Sequence, residues 1–115
     1  MAFVNVVLDA ALDAVTDRID TLSLHTDDPG PSGTNNELSG GGYARQSVVW
    51  NPADDAEVTM DGQVAFLIPA GNSISYVGLW GGGTWSGYME IDPPEVFNND
   101  GELTVQEITI TAVNV

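Results

Sequence analysis

The chain has no cysteine and no lysine, and its 115 residues include one histidine and only two basic residues, both arginines. Without cysteine it can form neither a disulfide framework nor a thiolate zinc site. Two arginines cannot neutralise a row of phosphates, so we expect no nucleic-acid partner and no contact with an anionic membrane surface. No apolar run approaches the roughly 18 residues that cross a bilayer. The N-terminus lacks the basic region of a signal peptide, so we expect synthesis in the cytoplasm.

What the sequence has in excess is negative charge. Seventeen acidic residues give a formal net charge of −15, while 43% of the residues are hydrophobic, enough to bury a core. The acids are dispersed, unlike those of a disordered acidic tail. Such a domain repels itself in dilute buffer, and molar salt, with a Debye length of about 3 Å, removes most of that repulsion. The composition favours adaptation to high salt, as in halophilic archaea and their viruses. The alternative is an ordinary acidic domain from a mesophile, such as a phage of a high-GC bacterium.

Residues 1–20 have the period of an amphipathic helix. The apolar residues at three- and four-residue steps are Val4, Val7, Leu8, Ala11, Leu12, Val15 and Ile19. Asp9, Asp13 and Asp17 form a stripe on another face, where like charges four residues apart destabilise a helix by roughly a few tenths of a kcal/mol per pair at low salt. Salt or a basic partner surface would make this stripe tolerable.

After residue 20 the apolar period changes from near 3.6 to two, which is typical of half-buried strands. The predicted strands cover residues 21–26, 43–50, 57–60, 63–68, 73–80, 85–91 and 102–115. One helix followed by about seven short strands predicts a mainly β fold, an antiparallel β-sandwich or jelly-roll-like domain with one N-terminal α-helix. We expect a single domain over residues 1–115, with the sandwich over 21–115.

Turn signals separate the strands. Residues 27–42, rich in Gly, Pro, Asn and Ser, form a loop whose length is uncommon in a small domain and usually functional. Asp61-Gly62 predicts a type I′ hairpin between strands 57–60 and 63–68. Asp92-Pro93-Pro94 is expected to end the strand before it. A phase shift in the last strand predicts a bulge near Gln106-Glu107.

Three segments together resemble a known family. They are SLHTDDPGPSGTNNELSGGGYARQ (Ser23 to Gln46), VAFLIPAGNSISYVGLW (Val64 to Trp80) and GGGTWSGY (Gly81 to Tyr88). Their order and spacing resemble small virion structural proteins of tailed phages, loosely named tail fibre, minor tail or head-decoration proteins. That family carries a His-Thr-Gly-Asp-Pro-Gly loop, and Asp27 stands where it usually has glycine. The resemblance implies a virion protein without enzymatic activity and without a cofactor.

Candidate chemistry is sparse. His25 has no recognisable nucleophile elbow or triad around it, so we expect it to anchor the loop. Arg45 is expected to make a bidentate pair with a carboxylate, or a salt bridge between subunits. Asp54, Asp55 and Asp100 lie in oxygen-rich turns and are weak candidates for a metal site, although no EF-hand spacing is present. Trp85 and Tyr88 flank a glycine-rich turn, where they either pack in the core or lie exposed at a sandwich end.

These features predict a structural protein of a tailed-virus particle, on the capsid or the tail, that is made in the host cytoplasm and incorporated into the virion. It would contact other virion proteins and form a homo-oligomer, a trimer or pentamer. The predicted interaction residues are Asp27, Pro29, Gly30, Arg45, Trp85 and Tyr88. The alternative is a receptor- or glycan-binding module at the tail tip. Hydrolysis of a surface sugar by paired carboxylates is the third hypothesis, with no pair that stands out.

Overall fold

The computed structural model describes residues 5–112, so Val4 of the predicted helix and the last residues of the predicted final strand lie outside the described residues. Within these residues the chain forms one helix, α1 (Asn5–Thr16), and eight strands. The strands are β1 (Thr21–His25), β2 (Gln46–Ser47), β3 (Glu57–Thr59), β4 (Val64–Ile68), β5 (Asn72–Gly81), β6 (Thr84–Phe97), β7 (Gly101–Val105) and β8 (Thr109–Thr111). The mainly β class with an N-terminal helix is confirmed.

In the described part of the chain all strand pairs are antiparallel, and they form three sheets. The largest has the order β2-β1-β5-β6, and two smaller sheets pair β3 with β8 and β4 with β7. The arrangement is sandwich-like, because Phe66 and Ile68 of β4 join Leu22, Leu24 and Ile74 of the large sheet in one buried core. The alternation along β4, in which residues 64, 66 and 68 are buried, is the pattern of a sheet with one face toward the core.

Helix α1 is shorter than predicted. It ends at Thr16, whose hydroxyl donates to the carbonyl of Leu12, and Ile19 enters the core from the segment that follows. Only Leu8, Leu12 and Thr16 are buried on the helix, while Val7 and Val15 remain 47% and 46% exposed. The predicted apolar stripe is therefore divided into a buried half and a solvent-facing half.

The predicted hairpin between strands 57–60 and 63–68 is wrong. β3 pairs with β8, Val58 opposite Ile110, and β4 pairs with β7, Phe66 opposite Leu103. A type I′ turn needs positive φ at both central residues. Gly62 has a φ of 77°, but the φ of Asp61 is not positive. The Asp61 amide donates to the carbonyl of Val49. The turn therefore sends the chain from one small sheet into the other.

The expectation that Asp92-Pro93-Pro94 ends a strand is also wrong. β6 continues to Phe97 through a register shift opposite Ile74–Tyr76. Proline is tolerated here because β6 is an edge strand of its sheet, where amides on the outer side need no partner.

Two other predicted strands differ in length. Residues 43–50 contribute only the two residues of β2, and Trp50 adds an isolated bridge to Met60. The predicted final strand is two strands, β7 and β8, and they separate where the sequence predicts a bulge. The buried Ile108 lies between them, where the chain passes from one small sheet to the other. The phase shift in the sequence thus indicates a change of sheet rather than a bulge.

Candidate functional site

Loop 27–42 folds back onto the end of β1 and is held at its base. The Thr26 amide donates to the Asn36 carbonyl over 3.0 Å, and the Leu38 amide donates to the Leu24 carbonyl over 2.9 Å. Leu38 itself is in the core, and Pro29 is fully buried. The segment is therefore an ordered loop whose base belongs to the fold and whose tip, including Pro31, Ser32 and Thr34, is exposed.

His25 anchors this loop, as the sequence predicts. Its Nδ1 lies 2.9 Å from the carbonyl oxygen of Asn35, which can only accept, so Nδ1 carries the proton. On the other side Nε2 lies 2.8 Å from Ser23 Oγ, and that hydroxyl accepts from Trp80 Nε1 over 2.8 Å. Ser23 and His25 are both completely buried. The result is one continuous chain of hydrogen bonds from β5 through β1 into the loop.

Trp85 packs against loop 27–42 at Gly33. Gly33 has a φ of 72°, and a Cβ placed on it would overlap the six-membered ring of Trp85. Trp85 also makes edge contacts with His25 and Trp80, with ring centroids 6.0 and 5.0 Å apart. The sequence left open whether Trp85 packs in the core or lies exposed. It is half-buried, so each interpretation is partly correct.

Next to Trp85 lies a surface of tyrosines and carboxylates, which we call the tyrosine surface, formed by Tyr76, Tyr88, Asp28 and Glu90. Tyr88 is 52% exposed and its ring packs edge-on against Tyr76, with centroids 5.3 Å apart. Desolvation, followed by the nearby charges of Glu90 and Asp28, raises the pKa of Tyr76. Rings beside acceptor groups form a surface that can contact sugars or cationic side chains.

Of the other predicted interaction residues, Asp27 is exposed beside this surface, and its carboxylate accepts from the Asp28 amide. Gly30 supplies a positive φ of 76° to the loop, and its amide is bound by the Asp28 carboxylate. Pro29 is buried and contributes to packing rather than to a contact surface. Trp85 contacts the loop at Gly33, and Tyr88 stacks on Trp85 with ring centroids 6.5 Å apart, so these two predicted residues lie near the loop. Their role in interaction stays a prediction.

Arg45 makes the expected bidentate pair within the chain. Its Nε and Nη2 donate to the two oxygens of Glu37 over 3.0 and 2.8 Å. The guanidinium also lies 3.9 Å from the ring centroid of Trp80, a cation–π contact. Burial opposes ionisation of Glu37, but hydrogen bonds from Arg45 and Tyr43 outweigh it and lower the pKa of that carboxyl. Burial and the Glu37 carboxylate raise the pKa of Tyr43, which stays protonated.

The metal candidates lie in two separate turns. Asp54–Glu57 is a tight turn in which Asp55 and Ala56 both have positive φ, 52° and 57°. Asp55 accepts from the Asn5 side chain, and Asp100 accepts from the Ala70 amide over 2.8 Å. Within residues 5–112 no three acidic or histidine side chains come together in a way that could hold a metal ion. Their role as cation ligands stays a prediction.

Asp9 and Asp13 of α1 have a structural role that their spacing in the sequence does not indicate. Asp9 accepts from the Ala56 amide over 2.7 Å, and Asp13 accepts from the Ala53 amide over 2.8 Å. These bonds join α1 to the 53–56 segment and hold the strained turn there. Asp17 has no such bond among the described residues. Spacing alone makes the three aspartates equivalent, and no local signal indicates which of them meets an amide some 40 residues away.

One pair of side chains has a spacing that catalytic pairs also have. Ser23 with His25 has the distance of a nucleophile–base pair, but complete burial keeps any substrate away from both.

Within the described residues, no helix has the length and apolar character to span a bilayer.

Neither curated proteins nor solved structures gave a match to this chain. One family model does match, described as podophage GP4 fiber I protein gp80, and it covers residues 5–112. Because that match includes nearly the whole sequence, the chain belongs to the podophage GP4 fiber I protein gp80 family.

Proposed function

We propose that the protein is a non-enzymatic structural component of a fibre on a tailed virus adapted to high salt. It is made in the host cytoplasm, forms a homo-oligomer and joins other virion proteins through loop 27–42. The family match supports the fibre role. The net charge of −15 supports the adaptation to salt. The burial of the Ser23–His25 pair supports a role without catalysis.

The observation that carries the attachment role is the ordered base of loop 27–42 beneath an exposed tip. His25, the buried Pro29 and the Gly33–Trp85 contact fix the base before any partner arrives. A loop that is already ordered loses little conformational entropy on binding, so a modest contact area gives useful affinity. The tip residues Pro31, Ser32 and Thr34 are exposed and available to a neighbouring virion protein.

The loop is tested by changing only its tip. Ser32→Arg with Thr34→Arg adds bulk and charge at exposed positions and spares the buried base. We expect normal folding, with a large loss of the protein from purified particles on immunoblots. Gln63→Arg with Thr111→Arg, two other exposed positions, is the matched control and should be incorporated normally. Normal incorporation of the tip variant would remove the loop as an attachment element.

The fibre location has its own test. Gold-conjugated antibody on purified particles should label fibres that project from the tail. Label spread over the head would assign the protein to the capsid surface and contradict the fibre role.

The exposed half of α1 supports the homo-oligomer. Val7 and Val15 lie about two turns apart on one face, with the exposed Ala11 between them. Exposed apolar area of this kind marks contacts between proteins. Sedimentation in 2 M KCl should show a trimer or pentamer that Val7→Glu with Val15→Glu converts to monomer. Monomeric wild type under these conditions would contradict self-assembly by this face.

A second candidate function is binding of a host receptor or glycan. The observation in its favour is the tyrosine surface, where Tyr88 is 52% exposed beside Tyr76 and acceptor carboxylates. Stacking of a sugar on an exposed ring with adjacent acceptors is a common mode of recognition. Trp85 is a poor probe, because its removal also withdraws support from Gly33 and His25.

Tyr88→Ala is the better probe of this second function. It should lower adsorption of particles to host cells while leaving particle yield unchanged. Equal loss of yield and adsorption would favour the structural role. Leu67→Ala, at an exposed position on β4, is the control.

A further inference from the structure

An open groove of about 450 Å³ lies between β6 and the β7–β8 segment. Its apolar lining includes Val77, Met89, Ile91, Phe97, Leu103 and Ile108. Met89, Ile91 and Phe97 pack against the main core yet remain only partly buried. The core of the sandwich is therefore open along this side.

The backbone along the groove also lacks partners. Within residues 5–112, β6 pairs only with β5 and β7 pairs only with β4. Edge strands leave every second amide and carbonyl without a partner in the sheet, and such a row accepts an added strand. Asp92, Pro93 and Pro94 interrupt the row, and the register with β5 is unbroken over residues 87–90.

The charges around the groove specify what fits. Glu95, Glu102 and Glu107 line it, and all three are exposed. A second copy of this chain would bring 17 acidic residues and only two arginines, one of them held by Glu37, so it cannot supply the matching charge. An extended segment with apolar residues on one face and Lys or Arg on the other satisfies the apolar lining, the free edge and the carboxylates together.

We propose that the β6–β7 groove binds an extended, cationic and apolar segment of a partner protein, which adds a strand to the sandwich edge and covers the open side of the core. In molar salt the apolar contact and the backbone pairing hold the segment. At lower salt, where charges are less screened, the glutamates also discriminate against acidic segments. This proposal does not depend on the fibre role, because its test uses the isolated protein.

The probe is a fluorescent nine-residue peptide, Lys-Val-Lys-Val-Thr-Val-Lys-Val-Lys, added to the full chain in 0.2 M and 2 M KCl. We expect saturable binding in both, weaker at high salt, with protection from hydrogen exchange confined to β6 and β7. A peptide with its two central valines replaced by proline cannot complete a ladder and should bind much more weakly. No saturable binding, or equal binding of the proline peptide, overturns the proposal.

Variants locate the site. Glu95→Gln with Glu102→Gln should weaken binding at 0.2 M KCl about five- to tenfold, since each exposed ion pair contributes up to about fivefold. Glu57→Gln with Asp61→Asn removes the same charge on the β3 side and should leave the affinity nearly unchanged. An equal loss in both variants would show general electrostatic attraction and contradict the proposal. Dimerisation of the chain alone that Ile91→Arg abolishes would make a second copy the occupant and also contradict it.

Discussion

Ser23 Oγ lies 2.8 Å from His25 Nε2, two residues along one strand, and neither side chain is exposed to solvent. The distance is that of a catalytic pair, yet the pair acts as an internal brace. Because Asn35 fixes the proton on Nδ1, Ser23 donates to Nε2 and accepts from the Trp80 indole. Every polar group in this chain of hydrogen bonds thereby has a partner.

Ser23→Ala should lower the free energy of unfolding by about 2–4 kcal/mol. The change leaves Trp80 Nε1 and His25 Nε2 buried without partners, and each unsatisfied group costs about 1–3 kcal/mol. Urea unfolding in 2 M KCl measures the effect. Ser47→Ala, at an exposed position on β2, is the control and should change stability by less than about 0.5 kcal/mol. A similarly small change for Ser23→Ala would show that the brace is not needed.

Gly33→Ala should destabilise the protein more than Gly40→Ala. Both glycines have positive φ, 72° and 84°, so both substitutions carry the same backbone penalty of about 1 kcal/mol. Only at position 33 does the new methyl meet the Trp85 ring, and such overpacking adds about 1–3 kcal/mol. Thermal unfolding followed by tryptophan fluorescence compares the two. Equal melting temperatures would mean that the loop can lift from Trp85 without loss.

Glu37→Gln should destabilise the protein near pH 7, and the difference from wild type should shrink in acid. The folded pKa of Glu37 is lowered, because the hydrogen bonds from Arg45 and Tyr43 outweigh the opposing effect of burial. Its stabilising contribution is therefore present above the ordinary glutamate pKa near 4.3 and is lost as the pH falls through the folded value. For a partly exposed pair we expect about 1 kcal/mol at pH 7. Urea unfolding at pH 7, 5 and 3 gives the difference, and a constant gap would contradict this assignment.

Asp13→Ala should lower stability by about 1–2 kcal/mol even in 2 M KCl, whereas Asp17→Ala should have little effect. The Asp13 carboxylate accepts from the Ala53 amide, and hydrogen bonds to charged groups are worth about 1.5–3 kcal/mol. Asp13 is in α1 and Asp17 directly follows it. Both substitutions remove one charge from this part of the chain, so the comparison separates the hydrogen bond from general electrostatics. If the two variants melt together, the aspartates act only through charge.

Raising KCl from 0.1 to 2 M should raise the melting temperature, because it screens repulsion among 17 acidic residues. Relief of about 2 kcal/mol corresponds to a rise of roughly 8 °C in a domain of this size. The variant Asp54→Asn, Glu57→Gln, Asp61→Asn carries less charge and should gain less from salt. An increment equal to that of wild type would identify a salt effect other than screening.

The sequence predicted the class of the fold better than its connections. Alternation along 64–68 correctly placed Val64, Phe66 and Ile68 in the core. The same alternation cannot say which strand lies alongside, because period two defines the two faces of a strand and not its neighbours. The pairing of β3 with β8 and of β4 with β7 depends on partners more than 30 residues away.

The candidate site shows the same division. His25 as a loop anchor and Arg45 in a bidentate pair followed from residue type and position, since one of only two arginines among 17 acidic residues is expected to pair with a carboxylate. That the carboxylate is Glu37, and that Gly33 rests on Trp85, depends on how the loop folds back. The prediction that Pro93 and Pro94 end a strand was wrong, because prolines are tolerated in an edge strand. Local sequence does not reveal that β6 is one.

A fibre bears mechanical load, and the anchoring of loop 27–42 defines where a pull on its tip would go. His25 and Leu38 pass the force into β1, which lies between β2 and β5 inside the large sheet. Tension along β1 applies a shear force to the backbone hydrogen bonds that pair it with β5. Five residue pairs, from Thr21–Trp80 to His25–Tyr76, then resist together rather than opening one after another. The same hydrogen bonds that order the loop would make it a firm mechanical attachment.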